Sequence, residues 1–153
     1  MEAVCRALDI TLKQVAASDL RLKGGDATIH VLRKWILVRR DVDDDVKAFL
    51  IAHEVGHLKL HAKAVGTIEV SAASLSSEAD TQGLREVESY GAREREELRA
   101  NVFARDFLLP RRTACELFLA GQSLSTLAAD KQLPVELVRL QLYDGLLLPE
   151  PDH

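Results

Sequence analysis

The alternation of apolar and polar residues divides the chain into a strand-rich beginning and a helical remainder. Residues 2–8 have the spacing of a short helix. Then "ITLKQV" (10–15), "ATIHVL" (27–32) and "WILVRR" (35–40) are short runs rich in β-branched residues, with "KGGD" (23–26) as turn punctuation between the first two. They predict a small, mainly antiparallel sheet, and the break at Arg33-Lys34 suits a hairpin. Next, "DVDDDVKAFLIAHEVGHLKLHAK" starts acidic and ends basic, the order that a helix dipole favours. Val46, Phe49, Leu50, His53, His57 and Leu60 share one stripe of it, while Ala48, Ile51, Ala52, Val55 and Leu58 cover much of the rest. A helix apolar on nearly all sides belongs inside the molecule.

Residues 64–91 are weakly patterned and rich in Ser and Ala, with one strand expected at 67–71 and the remainder a long loop, the kind that serves as a lid or stays disordered. A strong helical pattern runs from Ala92 to Leu109, where Pro110 stops it. "RRTACELFLA", "SLSTLAADKQ" and "PVELVRLQLYDG" read as three short helices, the last with Pro134 in its first turn and Gly145 as its C-cap. The expected fold is therefore α+β: a small sheet packed on a buried helix, with a helical C-terminal part. Residues 1–110 form the expected core, 111–147 a helical extension with helix-turn-helix spacing, and 148–153 a tail or the start of a linker.

Composition narrows the function classes. A chain of 153 residues, 47% hydrophobic and 29% charged, is long enough for one packed domain. The net charge of −4 provides no global basic field, so direct nucleic-acid binding is not expected. Cys5 and Cys115 show neither CxxC spacing nor a disulfide framework, and both read as reduced. No run has the length of a membrane span and the start lacks a leader pattern, which makes the cytoplasm the expected address and excludes a membrane role.

The candidate chemistry is in "FLIAHEVGHLKLHAK". On a helix, His53 and His57 face the same way and can present imidazoles to one ion, with Glu54 beside them as a general base. Composition alone would generate such a motif on the order of one time in a hundred, so a third ligand is needed to decide. His61 continues the spacing but lies about 12 Å along the axis from His53, too far to share an ion, and is assigned an outer supporting position. In "YGAREREELRANVFARDFLLP", the helical period puts Glu97, Ala100, Asn101, Ala104 and Leu108 on one arc, with Arg95, Arg99 and Asp106 opposite. A carboxylate among small apolar residues calls for a cation or a partner, which singles out Glu97, with Glu94 in reserve. Asn101, one turn on, is placed to hydrogen-bond a ligand histidine.

"FLIAHEVGHLKLH" followed by "EELRANVFARDFLLP" resembles the ImmA/IrrE metallopeptidases, with HExxH and then ExxA(N/D)xFAxxLLxP, over roughly residues 8–145. The resemblance implies one zinc per chain held by His53, His57 and Glu97, with Glu54 catalytic. Arg99 stands where many members carry a second acid. The implied reaction is peptide hydrolysis: zinc supplies Lewis acidity and Glu54 moves a proton from water to the leaving amine. An exposed edge strand, expected to be "WILVRR", would hold an extended substrate. The implied partner is a protein substrate, commonly a helix-turn-helix repressor in a stress-response, defence or mobile-element pathway.

Two alternatives belong to other classes. "SLSTLAADKQLPVELVRLQL" fits a DNA-binding regulator with a vestigial protease site, although only Arg139 and Gln141 offer groove contacts and Glu136 opposes them. Similar segments also occur fused ahead of helicase-like modules, which would make this chain a sensor or docking unit.

Overall fold

The computed structural model describes residues 1–61 and 92–148, with His61, Ala92 and Arg93 described by backbone alone. The strand expected at 67–71, the long loop and the tail from residue 149 lie outside the described residues. The order of elements is α1 (Glu2–Ala7), β1 (Thr11–Val15), a single 3₁₀ turn (Leu20–Leu22), β2 (Ala27–His30), β3 (Trp35–Arg39), α2 (Asp44–His61), α3 (Ala92–Leu108), α4 (Arg111–Leu119), α5 (Leu124–Lys131) and α6 (Val135–Leu147). The fold is α+β.

The sheet departs from the expected pairing. Its order is β1-β3-β2: β2 and β3 form the antiparallel hairpin, with His30 opposite Trp35, but β1 runs parallel to β3. The sheet is thus mixed, and "WILVRR" is its central strand, so both of its hydrogen-bonding edges are taken. The reason is hydrophobicity. Ile36, Leu37 and Val38 are all fully buried, and only the middle position covers such a run on both faces and both edges.

Helix α2 lies between this sheet and α3. Ala27, Ile29, Ile36 and Val38 pack against Leu50, Ile51 and Val55, while Phe49 and Ala52 on another side of α2 join Ala104, Leu127, Leu137 and Leu142 in a second cluster. α2 is buried without interruption from Phe49 to His57; its last turn leaves the core, and Leu60 is 46% exposed. The second cluster runs from α2 through α3 into α4, α5 and α6, so the C-terminal helices share a core with the helix that carries HEVGH.

Gly145 is not a C-cap, because α6 continues to Leu147. A Cβ there would lie 2.6 Å from Cys115 Sγ and 3.3 Å from the Arg111 carbonyl, so glycine is required by the contact between α4 and α6. The polar seam between α3 and α6 also differs from expectation. Asp106, placed by periodicity on the solvent side, accepts from Gln141 Nε2 at 2.7 Å and faces Arg111 at 3.3 Å. Arg105 donates to Asp144 at 2.7 Å, and Gln141 also donates to the Leu109 carbonyl at 2.7 Å. Leu109 follows the last turn of α3, where the final carbonyls have no partner within the helix.

Candidate metal centre

The spacing HEVGH puts His53 and His57 one turn apart on the buried part of α2, each 2% exposed. Imidazoles at that depth need polar partners, and α3 supplies them. Gly56 faces α3 where a Cβ would meet Phe103 Cδ1 at 3.0 Å and the Ala100 backbone at 3.3 Å. The missing side chain lets the two helices approach closely. Gly56 was not picked out by sequence reasoning, yet a signal existed: glycine inside a helix is unfavourable by about 1 kcal/mol relative to alanine, which marks positions where space matters more than propensity.

At this crossing three donor atoms converge. His57 Nε2 is 2.9 Å from His53 Nε2, and Glu97 Oε2 is 3.2 Å from His53 Nε2 and 3.5 Å from His57 Nε2. Ligands bound tetrahedrally at about 2.0–2.1 Å are separated by about 3.3–3.4 Å along each edge. The three distances therefore outline one face of such a tetrahedron, with two neutral nitrogens and one carboxylate oxygen as a borderline divalent cation prefers. His53, His57 and Glu97 form the group among the described residues that could hold a metal ion.

Electrostatics point the same way. Burial pushes the Glu97 carboxyl up, but hydrogen bonds with His53 and His57 outweigh it and hold the pKa at about 2. Those hydrogen bonds need a proton on each Nε2, and a bound cation would take that proton's place beside the carboxylate. On the far side of His53, Nδ1 lies 2.8 Å from Asn101 Oδ1. A carbonyl oxygen only accepts, so Nδ1 carries the proton and Nε2 presents its lone pair to the centre. Glu54 is fully buried beside these ligands on α2. Phe49 contributes a ring 6.3 Å from His53, closing the apolar side.

The remaining candidates fall elsewhere. Glu94 is exposed on α3, and Arg95 and Arg99 are solvated. The His61 side chain lies outside the described residues. Of the two side chains considered for groove reading, Gln141 is 1% exposed and held by Asp106 and the Leu109 carbonyl, while Arg139 is paired with Glu136 and lies 5.5 Å over the Tyr143 ring. Helices α5 and α6 bury Leu127, Ala128, Leu137, Val138 and Leu142 in the shared core.

A small mixed sheet on a buried helix, crossed by a second helix that completes a His-His-Glu group, defines the class: a domain built around a candidate metal centre. The sequence profile of the Peptidase M78 family, described as the IrrE N-terminal-like domain, matches residues 5–143, and the chain belongs to this family. The family points to a metallopeptidase. A search of curated proteins gives no match. None of the described helices is long and apolar enough to cross a membrane.

Proposed function

We propose that the chain is a zinc-dependent endopeptidase whose ion is held by His53, His57 and Glu97. The observation that carries this reading is the spacing of the three donor atoms, in a chain of a peptidase family. Zinc bound there would supply Lewis acidity toward the scissile carbonyl and the attacking water. Glu54 takes the proton from that water and delivers it to the leaving amine, acting first as base and then as acid. Asn101 fixes the His53 ring through its Nδ1–H, so that Nε2 is always the ligand atom.

The proposed substrate is a protein, and a helix-turn-helix repressor is the partner that the family resemblance suggests. The substrate strand would add to β1 or β2, the outer strands among the described residues, in place of the central "WILVRR".

The deciding measurement is metal content after equal zinc loading and desalting. About one zinc per wild-type chain is expected, with loss in Glu97→Ala. Glu54→Gln should keep the metal and lower the rate of hydrolysis by about 10²–10⁴-fold. Equal retention by wild type and Glu97→Ala would remove Glu97 as a ligand and favour an interaction module with a relic motif.

A further inference from the structure

A second cavity lies on the face of the sheet turned away from α2. Strand alternation sends Ala27, Ile29, Ile36 and Val38 toward the helix and leaves Thr28, His30, Trp35 and Leu37 on the opposite side. Leu22 from the 3₁₀ turn covers part of that side, packing on Val15 and Leu37. Between this turn and the β2–β3 turn is a hollow of about 390 Å³. That volume is in the range of small-molecule sites.

Its lining reverses the charge balance of the protein. The chain has 24 acidic against 20 basic residues, yet Arg21, Lys23 and Arg33 line the hollow and no carboxylate does among the described residues. Arg21 is held by Asp19, at 2.9 and 2.7 Å, and so has part of its charge answered. Lys23 and Arg33 are the exposed cations on either rim.

Cations alone would suit any anion, but this hollow also has an aromatic corner. Trp35, the only tryptophan of the chain, meets His30 with ring centroids 5.1 Å apart and planes inclined at 46°. His30 Nδ1 accepts the Arg33 backbone N–H at 3.3 Å, which leaves the proton of the neutral ring on Nε2 as a donor. Leu20 lines the mouth while 91% exposed, and Thr28 places a hydroxyl in a wall only 5% exposed. A bare inorganic anion would use none of the ring surface, and an acidic side chain is too small to span both parts.

We propose that this hollow binds a nucleoside phosphate, with the base against Trp35 and His30 and the phosphate between Lys23 and Arg33. The chemistry is shared by a free nucleotide and by one unit of a single strand, in which each base offers a flat face and each linkage an anion. The site is remote from the metal centre and does not depend on the peptidase reading.

Because Trp35 is the sole tryptophan, its emission reports on this wall of the cavity. The full chain is titrated with AMP, ATP, adenosine, inorganic phosphate, a short oligothymidylate and a Glu-rich peptide. Saturable quenching by AMP, ATP or oligothymidylate is expected, weakened roughly tenfold or more in Lys23→Glu/Arg33→Glu and by added salt. Arg6→Glu/Lys131→Glu, an equal charge change on α1 and α5, should leave it unaltered. Calorimetry on the same samples keeps the test independent of the fluorophore, and zinc content should be equal in all variants. Mononucleotide binding as tight as the oligonucleotide identifies a free nucleotide; tighter oligonucleotide binding identifies a strand. The proposal is overturned if no nucleotide binds, if phosphate or the acidic peptide binds as well as AMP, or if the double variant binds undiminished.

Discussion

Helix α3 has two seams, and they are built on opposite plans. Its N-terminal half meets α2 through absence: Gly56 has no side chain, Ala100 has almost none, and the space a Cβ at Gly56 would take is closed by Phe103 and the Ala100 backbone, beside His53, His57 and Glu97. Its C-terminal half meets α6 through reach, with Arg105, Asp106, Asp144 and Gln141 spanning the gap by hydrogen bonds. Three donor atoms within 3.5 Å of one another tolerate little movement, and close backbone packing is the stiffer device. The outer seam needs only to hold the helix in place.

This contrast orders the effects of substitution. Gly56→Val should be the most damaging, because the Cβ alone would already press on Phe103 and the Ala100 backbone and the branch adds two more carbons; a loss of about 2–3 kcal/mol in urea unfolding, together with failure to retain zinc, is expected. Asn101→Leu removes the partner of His53 Nδ1 and should weaken metal affinity about 10–100-fold, read by competition with a chelator, while the fold survives.

On the outer seam, Gln141→Leu leaves the Leu109 carbonyl without its donor and should lower stability by about 1–3 kcal/mol, with metal affinity nearly unchanged once the protein is folded. The Arg105–Asp144 pair is partly solvated, and a double-mutant cycle through Arg105→Ala and Asp144→Ala should give a coupling of about 1 kcal/mol or less. A larger effect on zinc from Gln141→Leu than from Asn101→Leu would break the contrast.

Much of this architecture was legible in the sequence because it depends on local period. The 3.6-residue repeat puts His53 with His57 and Glu97 with Asn101, and the burial of α2 follows from its unbroken apolar surround. Pairing between distant segments left weaker traces. Period-2 runs announce three strands but not which of them is flanked by the other two, and the mainly antiparallel sheet they suggest gave way to a mixed one with β3 at its centre. Glycine was ambiguous for a different reason: Gly145 fits both a helix end and a close contact, and only the position of Cys115 separates the two. Asp106 and Gln141 read as solvent-facing and groove-facing because a polar residue shows no sign in sequence of the partner that buries it.

The central position of β3 also bears on how the chain assembles as it is made. Residues 11–15 leave the ribosome well before 35–39, the strand they pair with among the described residues, so β1 emerges ahead of that partner. The hairpin of β2 and β3, joined by four residues, can close as soon as both strands are out, and β1 then docks along the edge it leaves open. Order of synthesis and order of assembly are therefore inverted at the N-terminus, and any extension placed ahead of Met1 must allow that first strand to move across to the far side of the hairpin.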